Sequence, residues 1–378
     1  MKKIQMVDLV SQYEKIKPEV QQAINTILDN AQFINGPDVK EFKNELENYL
    51  GAKHVIPCAN GTDALQIAMM ALDLKPGDEV ITPSYTYIAT TEVIGLLKLK
   101  PVFVDCDKDT FNISPEAIEK AITPKTKAIV PVHLYGQSCD MDAIMEIASK
   151  HNLYVIEDNA QAIGSDFTFK DGSKKKTGAI GHIGCTSFFP SKNLGCYGDG
   201  GAISTNNDEL ATKLKMIASH GQSKRYYHDV IGCNSRLDSI QAAVLRIKLR
   251  RLDDYIEARR KAADYYDSFF KNFSCIKVPH RDSSTKHVFH QYTLQLTDEI
   301  NRDDLVAYLS SKNIPAMIYY PVPAHKQKMF ASLDTYCGDL SVTEWLTTRV
   351  FSLPMHTELT EEQLAFICEG VKEYIEKS

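Results

Sequence analysis

Between residues 54 and 206, short apolar segments rich in β-branched residues alternate with amphipathic segments of helical length. The apolar segments predict strands over 54–59, 78–85, 100–107, 127–136, 153–160, 185–190 and 201–206. The amphipathic segments predict helices over 62–74, 114–122 and 140–151. Strands that are covered on both faces are apolar throughout rather than alternating. The pattern therefore predicts a doubly wound α/β domain with a largely parallel sheet.

The pattern changes after residue 236. Residues 237–272 have few helix breakers and predict one helix, or a pair of helices, leading into a second domain. Further along, the sequence predicts strands over 287–296 and 315–323 and helices over 302–313 and 360–377. This mixture is typical of a smaller α+β domain. Because 378 residues accommodate two domains, we expect a large domain over 1–245 and a small C-terminal domain over 246–378.

Composition and charge exclude several classes of protein. The chain has 43 Lys+Arg and 49 Asp+Glu, a net charge of −6, which disfavours nucleic acid and anionic membrane as bulk partners. No apolar stretch approaches the ~20 residues of a membrane span, and the N-terminus lacks the apolar region of a signal peptide. The nine cysteines are scattered, without the spacing of a metal site or disulfide framework. We therefore expect a cytoplasmic protein without a metal.

Two polar clusters follow predicted strands, which is where α/β folds place ligand sites. Asn60–Asp63 (NGTD) joins a strand to a helix, so backbone N–H groups and the helix N-terminus could bind an anion there. For this segment alone, an ordinary helix cap by Thr62 or Asp63 is the commoner explanation. Glu157 and Asp158 follow a buried apolar strand. A pair of carboxylates there suits a metal, a ribose or a cationic ring, whereas a helix cap needs only one.

A lysine and two tyrosines complete the set of candidate residues. Lys192 lies just after an aromatic strand and inside a glycine-rich turn. Desolvation there would lower the pKa of the amine and make it nucleophilic toward carbonyl groups, although most loop lysines are simply solvated. Tyr85 and Tyr87 stand near the end of another strand. An amine, an anion site, a carboxylate and an aromatic ring are together what pyridoxal 5′-phosphate (PLP) requires, so the sequence predicts a PLP site.

Four sequence blocks resemble the signature blocks of the DegT/StrS sugar aminotransferases: NGTDAL (60–65), PSYTY (83–87), EDNAQAIG (157–164) and SFFPSKNLG (187–195). The resemblance extends over nearly the whole chain through MVDL (6–9), QFINGPDV (32–39), GCNSRLD (232–238) and YYPVP (319–323). These enzymes aminate keto-sugars that are linked to a nucleotide. The resemblance implies a fold-type I PLP-dependent transferase, with a mainly parallel sheet flanked by helices and a smaller α+β domain at the C-terminus.

Carried over residue by residue, the resemblance assigns the cofactor site. It implies that Lys192 bonds covalently to PLP and then carries the proton, and that Asp158 pairs with the pyridinium nitrogen. Gln161 would bind the ring hydroxyl, and Tyr87 would stack on the ring where many relatives have Phe or Trp. The residues implied to hold the phosphate are Gly61, Thr62, Ser187 and, from the neighbouring subunit, Asn234. The protein would then be a homodimer with shared active sites.

The resemblance also implies which residues face the sugar, namely Arg236, Tyr319 and Tyr320. Many relatives have His-Tyr-Pro where this chain has Tyr319-Tyr320-Pro321, so the contact made by this pair stays open. His325 either points towards the site or caps a helix. His133 follows an apolar strand, where a core histidine with satisfied hydrogen bonds is the favoured interpretation.

The expected activity is transfer of an amino group from an amino acid, glutamate, to a keto group. The keto group would lie at C3 of a nucleotide-linked hexose or hexuronate used in surface-polysaccharide assembly, such as O-antigen. Dehydratases of the family have histidine in place of the lysine, so Lys192 favours transamination. One alternative is amination at C4. Others are amino-acid transamination or lyase chemistry, for which we identify no dedicated arginine, and a PLP-binding regulator without turnover, which the absence of a DNA-binding segment disfavours.

Overall fold

The computed structural model describes residues 2–377. The α-helices are α1 (Leu9–Asn30), α2 (Pro37–Leu50), α3 (Gly61–Ala71), α4 (Ala89–Leu96), α5 (Pro115–Ala121), α6 (Met141–His151), α7 (Asp208–Ala218), α8 (Ser239–Leu249), α9 (Leu252–Phe270), α10 (Arg302–Ser311), α11 (Ser341–Arg349) and α12 (Glu361–Ile375). The strands are β1 (His54–Cys58), β2 (Glu79–Pro83), β3 (Lys100–Val104), β4 (Thr126–Ile129), β5 (Tyr154–Asp158), β6 (Asp166–Thr168), β7 (Lys174–Lys176), β8 (Ile183–Ser187), β9 (Gly201–Thr205), β10 (Gln222–Lys224), β11 (Tyr227–His228), β12 (Ile276–Lys277), β13 (Tyr292–Leu296), β14 (Tyr336–Cys337) and β15 (Val350–Leu353). Short 3-10 helices span Leu134–Gly136, Ala324–Lys326 and Lys328–Phe330.

Eight strands form one large sheet in the order β1-β9-β8-β5-β4-β2-β3-β14. The six strands from β8 to β14 run parallel, and β9 is antiparallel to both β1 and β8. Every predicted strand between residues 54 and 206 corresponds to a strand of this sheet. The predicted fold class, a mainly parallel sheet flanked by helices, is therefore confirmed.

Apolar clusters cover both faces of the large sheet. One cluster packs the sheet against α3, α4 and α7, and a second packs it against α5 and α6. Because both faces are covered, every residue of β2 and of β9 is buried. Polar caps start the flanking helices: the side chains of Ser114, Asp140 and Asn207 accept N–H groups from the first turns of α5, α6 and α7.

The C-terminal part is built on an antiparallel sheet, β12-β13-β15. An apolar cluster joins it to α9, α10 and α12. Residues 237–272 form the helix pair α8 and α9, one of the two predicted forms. The strand predicted over 315–323 is wrong, since only an isolated bridge between Met317 and Ser352 is found there. Pro321 and Pro323 have no N–H to donate to a neighbouring strand, which explains the irregular path.

The predicted domain boundary at 245/246 falls within α8. Two contacts run across that division. Ile4, near the N-terminus, packs in the C-terminal cluster, and β14, from the C-terminal part, pairs with β3 at the edge of the large sheet. The division into 1–245 and 246–378 stays a prediction.

Among residues 2–377, no helix is long and apolar enough to cross a lipid bilayer. In the same range, no group of three or more histidine, cysteine, aspartate or glutamate side chains is arranged to hold a metal ion. All nine cysteines are free thiols, and Cys337 alone is exposed.

Candidate functional site

The carboxyl ends of β1, β5 and β8 lie at one edge of the large sheet. Gly201, the first residue of β9, pairs with Cys58 of β1 on one side and with Ser187 of β8 on the other. A Cβ atom at position 201 would lie 2.4 Å from the carbonyl oxygen of Asn60, so this close approach requires glycine. Strand β5, which ends at Asp158, lies beside β8. The lysine, carboxylate and anion-binding segments therefore begin at neighbouring strand ends, as predicted.

Lys192 is half-buried on a loop that folds back after β8. The backbone N–H of Lys192 donates to the backbone carbonyl of Phe189 at 2.8 Å. Further along the loop, the carbonyl of Gly195 accepts a hydrogen bond from Nζ of Lys248 at 2.8 Å. Lys248 is itself a buried residue of α8. The loop that carries Lys192 is thus anchored from within the protein.

The surroundings of Lys192 shift the protonation equilibrium of its amine towards the uncharged form. Burial lowers the pKa of its amine to about 8, although the negative charge of Asp158 acts in the opposite direction. Burial, together with the positive charges of Lys192 and Arg259, keeps the pKa of His290 well below its ordinary value, so that ring adds no charge. With a pKa near 8, about a tenth of the amine is unprotonated at pH 7. Such an amine can attack a carbonyl group and can carry a proton.

Asp158 is buried at the end of β5 and holds a fixed orientation. Its Oδ2 accepts a hydrogen bond from the hydroxyl of Thr90 at 2.7 Å, and its Oδ1 accepts one from the N–H of Ala160 at 3.0 Å. Each carboxylate oxygen still has a free acceptor position. Asp158 can therefore accept a further hydrogen bond from a protonated ring nitrogen.

Gln161 is also held in one orientation. Its Oε1 accepts the N–H of Tyr135 at 2.8 Å, and its Nε2 donates to the hydroxyl of Tyr320 at 3.0 Å. The second Nε2 hydrogen remains free for a ring hydroxyl.

Tyr87 is 56% exposed, and its ring centre lies 6.1 Å from that of Tyr320. Binding of the ring hydroxyl by Gln161 and stacking by Tyr87 stay predictions.

The predicted phosphate site lies at the start of α3. The side chain of Asn60 accepts the N–H of Asp63 at 2.8 Å, so Asn60 caps this helix rather than Thr62 or Asp63. A Cβ atom on Gly61 would lie 2.6 Å from Cβ of Ser187, so the backbone of Gly61 touches this serine. The first N–H groups of α3 and the Ser187 hydroxyl thus offer donors at one place, as an anion requires. The roles of Gly61, Thr62 and Ser187 stay predictions.

Three further predicted residues are Asn234, Arg236 and His325. Asn234 is exposed, and Arg236 lines a cavity of about 540 Å³ beside β1 and α7. None of the other described residues predicted for the site borders that cavity. His325 has both ring nitrogens in hydrogen bonds, Nδ1 with Ser84 at 2.7 Å and Nε2 with Glu344 at 3.2 Å. A substrate contact by Arg236 or His325 stays a prediction.

Glu157 and Asp158 have different partners. The carboxylate of Glu157 is fully buried and accepts the N–H groups of residues 178, 180 and 181 at 2.7–2.8 Å. It also bonds Nε2 of His133 at 2.9 Å. Nδ1 of that ring accepts the N–H of Cys139 at 3.1 Å, so Nε2 carries the proton and donates to Glu157. His133 is the satisfied core histidine that the sequence favours, and Asp158 is the carboxylate left for a ligand.

Sequence reasoning missed four residues that support the site: Thr90, Tyr135, Lys248 and His290. None of them belongs to a recognisable spacing pattern. Thr90 and Lys248 look like ordinary helix residues, because their partners lie 68 and 53 residues away in the chain.

A family model described as the DegT/DnrJ/EryC1/StrS aminotransferase family matches residues 14–372. The chain belongs to this family. The predicted family and aminotransferase class are therefore confirmed. Members use PLP, and a solved relative from Bacillus subtilis, NtdA, is described with bound cofactor PMP, the amino form of PLP. NtdA is 32% identical with a TM-score of 0.86, and the match covers 96% of this chain and 82% of that one.

Three further relatives match nearly end to end. A "Pleiotropic regulatory protein" of Geobacillus stearothermophilus is 46% identical, with 98% of each chain covered. The "UDP-2-acetamido-2-deoxy-3-oxo-D-glucuronate aminotransferase" of Pseudomonas aeruginosa is also 46% identical, with 97% of this chain and 98% of that one covered. A UDP-N-acetyl-3-dehydro-α-D-glucosamine 3-aminotransferase of Acidithiobacillus ferrooxidans is 45% identical, with 98% and 97% covered.

The residues of this family member fit PLP. The amine of Lys192 is partly desolvated near a carboxylate, Asp158 keeps free acceptor positions, and the backbone of Gly61, at the start of α3, lies against Ser187. These are an amine, a partner for a pyridinium nitrogen and a place for a phosphate. The predicted cofactor is thus confirmed by the family and matched by the chemistry of the site.

Replacing Thr90 by valine should slow turnover without loss of the cofactor. The change keeps the shape of the side chain but removes the donor to Asp158 Oδ2. We expect glutamate-driven conversion of the bound cofactor to slow about 3- to 10-fold, with PLP affinity within about twofold. Thr91→Val is the matched control, because the Thr91 hydroxyl donates to the carbonyl of Ile88, the residue before α4, rather than to Asp158. Equal loss in both variants would contradict this role of Thr90.

Uptake of PLP by the cofactor-free protein should depend on pH with a midpoint near 8. The pKa of Lys192 is lowered to about 8, so the reactive free amine increases as pH rises through that value. PLP uptake is measured at each pH as the rate at which the visible absorption of the bound cofactor develops. Asp158→Asn removes a charge that favours the ammonium form, so its midpoint should lie lower. A wild-type midpoint near the ordinary lysine value, or an upward shift in the variant, would contradict this assignment.

Proposed function

We propose that this protein transfers an amino group from L-glutamate to a keto group at C3 of a nucleotide-linked hexose or hexuronate. The observation that carries the proposal is the half-buried Lys192 amine near Asp158, at the carboxyl edge of the sheet. The Pseudomonas and Acidithiobacillus relatives are both named for 3-keto sugars linked to UDP, which supports C3 and a UDP nucleotide. The product would be an amino sugar for surface-polysaccharide synthesis, such as O-antigen.

Lys192 and Asp158 would have different roles in proton transfer. PLP, when bound, supplies an electron sink that lets a proton leave the carbon bearing the amino group. Lys192 would take this proton from Cα of the donor and return it at C4′ of the cofactor, because the pKa of its amine, about 8, lies close to physiological pH. Asp158 would hold the proton on the ring nitrogen, and Thr90 and Ala160 keep its carboxylate in place.

We propose that the protein works as a homodimer whose active sites are shared. Asn234 would reach the phosphate held by Gly61, Thr62 and Ser187 of the other subunit. The hairpin β10–β11 and the segment after it support this arrangement, because they expose large apolar side chains near Asn234. Tyr226 is 78% and Ile231 86% exposed, which favours burial against another chain. Arg236, two residues beyond Asn234, would then face the sugar across the interface.

A second candidate is a PLP-binding regulator without turnover, which the name of the Geobacillus relative favours. Both candidates would keep the cofactor residues, so only turnover separates them. For either, we propose a cytoplasmic location. The nine free cysteines support it, because a reducing compartment keeps thiols unpaired.

The first test is transamination. The purified protein should show a visible absorption band from the lysine-bound cofactor, and L-glutamate should bleach it to the amino form. Adding UDP-2-acetamido-2-deoxy-3-oxo-D-glucuronate should restore the band and yield a sugar aminated at C3, located by NMR. Lys192→Ala should lower the rate by at least about 100-fold, whereas the exposed Lys175→Ala should leave it unchanged. A band that no amino donor bleaches would favour the regulator. A band restored by a UDP-linked 4-keto sugar but not by the 3-keto sugar would overturn the position proposed.

The second test is complementation between subunits. Lys192→Ala and Asn234→Ala variants should each be nearly inactive alone. If Asn234 serves the neighbouring subunit, a mixed dimer contains one site with both changes and one intact site. Random mixing after unfolding and refolding together should then restore about a quarter of the wild-type activity. No recovery, with mixed dimers verified by mass, would mean that Lys192 and Asn234 act within one chain.

A further inference from the structure

Two buried tyrosine hydroxyls converge on one backbone carbonyl beside the site. Tyr85 and Tyr135 are 1% and 3% exposed. The Tyr85 hydroxyl donates to the carbonyl oxygen of Tyr319 at 2.6 Å, and the Tyr135 hydroxyl donates to the same oxygen. A carbonyl oxygen has two acceptor positions, so both donors can bind at once. We call these two tyrosines and the Tyr319 carbonyl the tyrosine clamp.

The clamp joins distant parts of the chain. Tyr85 follows β2, and Tyr135 lies in the 3-10 helix that follows β4, the neighbour of β2 in the sheet. Their acceptor comes from the C-terminal part, 234 and 184 residues away. Phe111 packs against both rings, with centroid distances of 6.3 Å to Tyr85 and 5.2 Å to Tyr135. The two hydroxyls are therefore oriented by packing before they meet the carbonyl.

The residue after the clamped carbonyl is Tyr320. Its hydroxyl accepts a hydrogen bond from Nε2 of Gln161 at 3.0 Å, so its own hydrogen is free to donate elsewhere. Tyr135 also fixes Gln161, because its backbone N–H donates to Oε1 of that side chain at 2.8 Å. One residue, Tyr135, thus orients both Gln161 and the backbone that carries Tyr320.

We propose that Tyr85 and Tyr135 are positioning residues for the acceptor half of the reaction. By holding the Tyr319 carbonyl, they set the Tyr320 hydroxyl between Gln161 and the sugar, where it donates its free hydrogen to the acceptor. The proposal rests on the proposed function and on the contact between Tyr320 and the sugar that the family resemblance implies. Loss of one hydroxyl leaves the carbonyl a second donor, whereas loss of both leaves a half-buried carbonyl without either tyrosine donor. The two tyrosines therefore act as a unit, and the double variant should lose more than the sum of the single ones.

The test compares Tyr85→Phe, Tyr135→Phe and the double variant in the cofactor-bound protein. Tyr266→Phe is the matched control, because Tyr266 is a fully buried tyrosine that donates to a backbone carbonyl, that of Pro354, at 3.0 Å, in the C-terminal cluster. Each protein is assayed for bleaching by L-glutamate, for return of the band with UDP-2-acetamido-2-deoxy-3-oxo-D-glucuronate, and for its thermal midpoint. Tyr320→Phe is made alone and together with the double variant.

In the double variant, kcat/KM for the keto-sugar should fall about 10- to 100-fold, with bleaching by glutamate within about threefold of wild type. In the Tyr320→Phe background, the clamp changes should cause no further loss. The control should lower the thermal midpoint without changing either half-reaction. A double variant that loses stability but keeps both half-reactions would overturn the proposal.

The absorption spectrum of the bound cofactor tests the clamp independently of the sugar. Moving Tyr320 frees the Nε2 donor of Gln161, so the double clamp variant and Tyr320→Phe should show the same spectral shift from wild type. If wild type does not use the keto-sugar, the proposed acceptor is wrong, and the clamp is judged on this shift. Coincident shifts would support the clamp, whereas an unshifted spectrum in the double variant would overturn it.

Discussion

A half-buried amine near a buried carboxylate is the interaction on which the rest of this structure depends. Burial lowers the pKa of Lys192 to about 8, and the nearby charge of Asp158 limits that decrease. Each group needs supporting contacts in this position, because desolvation disfavours a charged group that has no partners. The loop contact from Lys248 and the hydroxyl of Thr90 supply those supports, and both come from helices packed on the large sheet.

Two adjacent carboxylates at the end of β5 have separate tasks. Glu157 uses both oxygens to bind three backbone N–H groups and the His133 ring, so it fixes the turn that precedes β8. Asp158 has one donor on each oxygen and remains open to a ligand. The neighbouring side chains alternate across the strand, so one faces the protein interior while the other faces the site. Of these two consecutive residues, Glu157 stabilises the buried scaffold and Asp158 is available to a ligand.

The fold and the centre of the site could be predicted from local patterns. Apolar strands such as 54–59 and 201–206 alternate with helical segments, and a covered parallel sheet is the arrangement that buries them. Lys192, Asp158 and Gly61 could be found because each stands at a strand end within a recognisable block. The strand predicted over 315–323 failed, because an apolar segment with three prolines satisfies the strand pattern but not the ladder of hydrogen bonds. Thr90, Tyr135 and Lys248 could not be found, because each contacts a partner more than twenty residues away.

The sequence by itself determined the α/β class, the family, the cofactor and the lysine–aspartate pair, because these follow from short-range spacing and from residue types with few other uses. Only the tertiary structure decided which carboxylate is free, which residue caps α3 and how Tyr320 is held. Those outcomes depend on hydrogen bonds between residues that are distant in the chain, such as Tyr85 with Tyr319 and Glu157 with His133. Folding brings such donors and acceptors together at distances that no local pattern specifies, and burial then makes each of them costly to leave unpaired.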